Sequence, residues 1–241
     1  MGFRIINPKL IKLLVMLSIK KLFFLSFAFA NSALFADEEI AVALTWNDGV
    51  FVFDSTYVSN QGDSLMLSKF YIYLSSFQVT YNNTEPEQEK DSYHLLKFSD
   101  STNSSHLKWQ PDNNRILESI SFNIGVDSAT NTSGALDGDL DPALGMYWAW
   151  HSGYINFKIE GESKSCPTLK HQFQFHIGGF EAPKNMLRSV EFKDIHKFSN
   201  IEIDLALLFN YIDLSRQNTI TTISSEASEI ADLLQKCFKI K

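Results

Sequence analysis

Apolar and polar side chains alternate one for one along stretch after stretch of this 241-residue chain, and a period of two commits such segments to β-strands with one buried face. Ile120, Phe122, Ile124 and Val126 alternate with Ser119, Ser121, Asn123 and Gly125. Ile155, Phe157 and Ile159 alternate with Asn156, Lys158 and Glu160, and Ile201, Ile203 and Leu205 with Glu202 and Asp204. Between Phe70 and Tyr81 the apolar set switches parity, from Phe70, Ile72 and Leu74 to Phe77, Val79 and Tyr81, which predicts a β-bulge near Ser75-Ser76. Turn-rich stretches at 82–91, 100–114, 127–145, 161–168 and 182–185 separate the strands. Only the last segment changes period. Ala227, Ile230, Ala231, Leu234 and Phe238 recur at helical spacing, with Glu226 and Glu229 near the start and Lys236 and Lys239 near the end, as the helix dipole prefers. The pattern predicts a mainly β, antiparallel β-sandwich or jelly-roll-like single domain with a C-terminal helix over 225–240.

The first 36 residues follow different rules. They hold Arg4, Lys9, Lys12, Lys20 and Lys21, no acidic residue, an apolar run from Leu22 to Ala30 and the small-residue ending Ala33-Leu34-Phe35-Ala36. This reads as a cleaved secretory signal peptide, too short in its apolar core for a membrane span of about 20 residues. The expected mature domain is 37–241, in the periplasm or outside the cell. Cleavage leaves 16 cationic against 28 acidic side chains, a net charge of −12. Nucleic acid and anionic membrane surfaces are bound through clustered Lys and Arg, so neither is an expected partner. The two cysteines, Cys166 and Cys237, have two readings in an oxidising compartment: a disulfide, or unrelated thiols.

No GxSxG, Walker lysine loop, HExxH or Rossmann glycine run occurs, which argues against an enzyme; a paired-carboxylate hydrolase finds no spacing that singles out a pair. What stands out is Met146-Tyr147-Trp148-Ala149-Trp150-His151-Ser152-Gly153-Tyr154, where four aromatic rings crowd beside a histidine. On a strand, Trp148 and Trp150 face the same way. This segment belongs to a longer series. The series starts with Asn60-Gln61-Gly62-Asp63, Phe70-Tyr71-Ile72-Tyr73-Leu74-Ser75, Tyr93-His94-Leu95 and Phe122-Asn123-Ile124-Gly125-Val126-Asp127. It continues with Gly134-Ala135-Leu136-Asp137, Leu140-Asp141-Pro142, Phe157-Lys158-Ile159-Glu160-Gly161 and Phe175-His176-Ile177-Gly178-Gly179-Phe180. In these blocks the sequence resembles the MbnP-like (methanobactin-associated) copper-binding proteins of bacterial envelopes. The resemblance implies a periplasmic or surface β-sandwich holding one copper ion through histidines. In some relatives an oxidised tryptophan, kynurenine, made by a partner di-haem enzyme, helps to hold the metal. Trp148 and Trp150 match the tryptophan-rich motif, which does not say which is modified.

Imidazole suits copper, so convergent histidines in an envelope protein are the ligands to look for. His176 lies on the Gln172, Gln174 face of its strand, opposite Phe173, Phe175 and Ile177, and is the first candidate; His94 is the second and His151, beside Trp150, the third. His94 has an equal structural reading as a satisfied half-buried side chain. His171 is expected to point inward with Phe173, and His106 and His196 to be solvated. Trp148 and Trp150 are either part of the site or a packed aromatic wall. Asp137, Asp139 and Asp141 alternate near Gly138 in the manner of a calcium loop, but no glutamate closes the pattern, so a rigid turn capped by aspartates is the stronger reading. The same aromatic crowding also suits a carbohydrate-binding or other surface-ligand module. The two functions differ in geometry: a sugar platform is exposed, whereas a copper site gathers imidazoles.

Overall fold

The computed structural model describes residues 40–241 except 83, 101, 103, 108–111, 113, 114, 149, 151, 152 and 196–199. The segment 1–36 expected to be a signal peptide, His151 and His196 therefore lie outside the described residues. Two sheets face one another. The larger runs β11 (Arg188–Lys193), β8 (Leu117–Ile124), β4 (Ser64–Tyr81), β9 (Ile155–Ser163), β10 (Gln172–Gly178), β13 (Thr219–Ile220). Three further strands, β3 (Tyr57–Val58), β5 (Glu87–Gln88) and β6 (Tyr93–Ser99), also pair with β4. The smaller sheet runs β14 (Phe238–Ile240), β12 (Asn200–Asp204), β1 (Ile40–Trp46), β2 (Gly49–Val50), with β7 (Ser104–Leu107) also on β1. Most pairs are antiparallel, as expected, but β1 with β12 and β10 with β13 are parallel.

The core lies where alternation puts it. Phe70, Ile72 and Leu74 of β4, Ile120, Phe122 and Ile124 of β8, and Phe157 and Ile159 of β9 are buried together with Val42 and Leu44 of β1 and Ile201 and Ile203 of β12. Each large side chain removed from water contributes about 1.5–3 kcal/mol, so this row dominates the stability of the sandwich. The bulge near Ser75-Ser76 is present: Ser76 has φ of 54°, the β4–β8 register shifts between Ser75 and Gln78, and Phe77 and Val79 return to the core face. A second shift between Leu67 and Lys69 likewise carries Leu65 and Leu67 into the same core as Phe70.

Two details differ from the sequence pattern. The C-terminal helix spans Ser225–Gln235, not 225–240. Ser224 caps it by accepting from the Ala227 amide, and Ala227, Ile230, Ala231 and Leu234 are its buried face. Beyond Lys236 the chain turns into β14, where Phe238 pairs with Ile203; Phe238 fits helical spacing from Leu234 but also a period of two with Ile240, and sheet pairing decides. Second, β12 is buried on both faces rather than half-buried. Glu202 and Asp204 are covered by ion pairs with Lys241 (2.8 Å), just past β14, and Lys239 (3.0 Å) on it. Cys166 and Cys237 are free and buried in the structure, and burial pushes their thiols up to about 11 and about 12. No helix among the described residues is long and apolar enough to cross a membrane.

Candidate functional site

The face of the large sheet turned away from the main core carries a second, smaller one. The described residues between β8 and β9 cross this outer face, burying Val126, Leu140, Met146, Trp148, Tyr154 and Ile155 against Tyr73. Hydrogen bonds at named positions fix this cap. Asp127 accepts from the Thr130 amide at the start of the short helix Ser128–Ser133 and also from the Tyr93 hydroxyl. Asn131 donates to the Val126 carbonyl and accepts from the Tyr154 amide, tying both ends of the cap together. The Tyr73 hydroxyl donates to the Asp139 carbonyl at 2.8 Å, and the Tyr154 hydroxyl accepts from the Leu136 amide at 2.9 Å.

The Asp137–Asp141 turn is part of this scaffold. The Asp139 carboxylate accepts from the Leu95 amide and Asp141 from the Ala143 amide, at 2.9 and 2.8 Å. Those oxygens face backbone donors, and no group of three or more His, Cys, Asp or Glu among the described residues is arranged for a metal ion. Calcium is therefore not supported here; the turn reading is the one that the geometry favours.

The tryptophan segment is a hairpin rather than a continuous strand. Ile155 donates to the Met146 carbonyl and Trp148 to the Gly153 carbonyl, both at 2.9 Å, with Tyr147 bridged to Tyr154. Gly153 has φ of 134°, a backbone conformation that turns the chain and suits glycine. The two rings differ in exposure, Trp148 at 5 % and Trp150 at 63 %, and they touch, with centroids 5.5 Å apart. Trp148 lies over Gly178 of β10, where a Cβ would stand 3.2 Å from its ring and 2.4 Å from the Tyr154 carbonyl. Glycine is required there because the cap sits directly on the strand.

His176 lies two residues before Gly178, on the same outer face. Its Nε2 is 2.9 Å from Glu160, whose other oxygen accepts from Lys69 at 2.7 Å. The His176 hydrogen bond, opposed by burial and assisted by Lys69, holds the Glu160 carboxyl at about 2. Lys158, paired with His176 across β9 and β10, is pulled below the ordinary lysine range by burial and by Lys69, against the opposing effect of Glu160. A carboxylate on one ring nitrogen fixes the imidazole's orientation and tautomer, as the carboxylate partners of metal-ligating histidines do.

His94 has a similar partner but a different place. Its Nε2 is 2.9 Å from Glu89, which also accepts from Ser92; burial works against ionisation of Glu89, but these two bonds keep its carboxyl below the usual range. His94 is opposite Leu74, on the core face, and its ring meets Phe77 edge-on at 5.5 Å. His176 is opposite Lys158, itself opposite Tyr71. Leu74 and Tyr71 point to opposite faces, so the structure does not bring His94 and His176 together. His171 is a correction: it sits exposed in a turn with φ of 56°, its Nδ1 3.0 Å from the Cys166 carbonyl, instead of pointing inward with Phe173. His106 is exposed, as expected. Sequence reasoning missed the pairing of Glu160 and Glu89 with histidines; the alternate strand position of Glu160 was the available signal, whereas Glu89 lies outside the strands.

Comparison with known proteins completes the picture. The sequence model of the MbnP family matches residues 36–224. Among solved structures, MbnP from Methylosinus trichosporium is similar, with a TM-score of 0.52 and 14 % identity over 73 % of this chain and 79 % of that one. That likeness shows a shared fold. Among curated proteins none matches the sequence.

Proposed function

The chain belongs to the MbnP family, and on that premise we propose that it is an exported copper-binding protein that holds or delivers the metal without catalytic turnover. The observation that carries the reading is His176: an imidazole oriented by Glu160 at 2.9 Å, on the outer face of the strand against which Trp148 packs. One imidazole does not make a copper site, and among the described residues no second one faces this cap. His151, which the sequence places directly after Trp150, is the second ligand assigned under this proposal. Nitrogen donors of this kind favour copper over other first-row divalent ions. His176 and His151 would hold the copper ion through their ring nitrogens, and Glu160 orients the His176 ring.

The oxidised tryptophan belongs to the same proposal. Trp150 is the ring exposed to an approaching partner, whereas Trp148 is enclosed by the cap. Conversion of Trp150 to kynurenine by a di-haem enzyme outside the cytoplasm would place a carbonyl and an aromatic amine beside His151 in sequence.

Metal analysis of protein isolated from an envelope fraction tests the reading. We expect copper to co-purify, to be lost in His176→Ala and to be retained in His94→Ala, whose ring faces the core. Absence of copper together with unchanged binding in His176→Ala would overturn it. Intact mass tests the remainder: the mature chain should begin at Asp37, and its mass should carry the exchange of one carbon for one oxygen that kynurenine formation leaves.

A further inference from the structure

The turn from β9 to β10 holds a backbone conformation that side chains disfavour. Lys170 and His171 are consecutive and both left-handed, with φ of 61° and 56°. Such strain persists only where the surroundings enforce it, and it clusters at ligand-binding sites. Three contacts enforce it here. The His171 amide donates to the Thr168 carbonyl at 3.0 Å, the His171 Nδ1 stands 3.0 Å from the Cys166 carbonyl, and the Thr168 hydroxyl donates to the Gln172 carbonyl. Lys170 and His171 thereby line a cleft of about 250 Å³ together with Lys164, Thr56, Ser64 and Glu162. Its size suits a small ligand. Its charge runs against that of the chain, which has 28 acidic and 21 basic side chains. Lys69, Lys193, Lys239 and Lys241 are each paired with a carboxylate, whereas Lys164 and Lys170 form no ion pair among the described residues.

We propose that this cleft binds free phosphate, the tetrahedral anion that still carries a proton at neutral pH. Two ammonium groups and the hydroxyls of Thr56 and Ser64 offer donors from separate segments of the chain. Lysines act as point charges and suit an anion approached from several directions, whereas a carboxylate ligand is matched best by an arginine fork. Two acceptors complete the lining. The Cys166 carbonyl can only accept, so Nδ1 of His171 carries the ring hydrogen and Nε2 of the neutral ring is an acceptor. Glu162 is the other. Both take a hydrogen bond from the P–OH group, while sulfate or a phosphodiester, which has no proton to give, meets them as repulsion. The proposal involves neither His176 nor the tryptophans and is independent of copper.

Calorimetric titration of the purified protein with inorganic phosphate at pH 7, and with sulfate and dimethyl phosphate as comparators, tests it. Phosphate should bind at least about tenfold more tightly than either comparator, the margin that an unmatched acceptor in the lining creates. Lys164→Met and Lys170→Met should each weaken phosphate about fivefold, the upper end for an exposed ion pair. Glu162→Gln, which removes the repulsion, should narrow the margin over sulfate. All three side chains are exposed, so circular dichroism should be unchanged in each variant. No binding of phosphate, equal or tighter binding of sulfate, or undiminished affinity in both lysine variants would each overturn the assignment.

Discussion

At His176 the contact that matters for stability is the one to Glu160. The carboxyl is held at about 2 against an ordinary 4.5, first by the His176 hydrogen bond and then by Lys69, with burial opposing both. A carboxyl depressed in the folded state stabilises the fold fully above its unfolded value and loses that contribution as the pH falls through the folded one. Wild-type protein should therefore exceed Glu160→Gln by about 2 kcal/mol at neutral pH, allowing for partial exposure, and the gap should close between pH 4.5 and about 2. Urea midpoints of both proteins across that range check it; a constant gap would show that the pair is not what depresses the carboxyl. The same residues show how far a sequence can be read. That His176 stands opposite Phe175 and Ile177 follows from alternation alone. That His94 stands on the other face of the same sheet does not, because its face is set by pairing with Leu74, and β4 changes parity at Ser75-Ser76.

At the scale of elements, β8, β9 and the β4 bulge were legible because period and parity are local properties of the chain. The ends of elements were less so. Phe238 satisfies a helical and an extended period at once, and only its pairing with Ile203 makes β14 a strand. Glu202 and Asp204 read as a solvent face, because nothing in their own segment reveals that Lys239 and Lys241 will cover them. The hairpin that pairs Met146–Trp148 with Gly153–Ile155 was missed for the complementary reason: alternation shows that a segment is extended, not where it turns back on itself. The lysines give β14 a testable role. Lys239 bonds Asp204, only 2 % exposed, at 3.0 Å and Asp48 at 2.7 Å. Asp204 keeps its bonds from the Asn47 and Ala206 amides when the lysine is lost. Lys239→Met should cost about 1–3 kcal/mol, the scale of a charged hydrogen bond withdrawn from a buried partner. Asp48→Asn, at an exposed carboxylate, should leave the urea midpoint nearly unchanged.

At the scale of the molecule, the sandwich is closed by residues far apart in the chain. β1 pairs Ala41 with Asn200 and Thr45 with Asp204 in a parallel ladder, and the helix Ser225–Gln235 packs against β10 and β11. A fragment ending at residue 195 lacks β12, β14 and that helix, so it should show no cooperative urea transition and no near-ultraviolet circular dichroism. Loss of only part of the signal would show that the large sheet and its cap can stand alone. The parallel ladder between first and late strands also sets an order of events. During vectorial synthesis the first strand is made 159 residues before its partner, a separation fixed by the register of Ala41 and Asn200. β2 and β7 can pair with β1 well before that, but the ladder that closes the smaller sheet cannot form until residues 200–204 have been made.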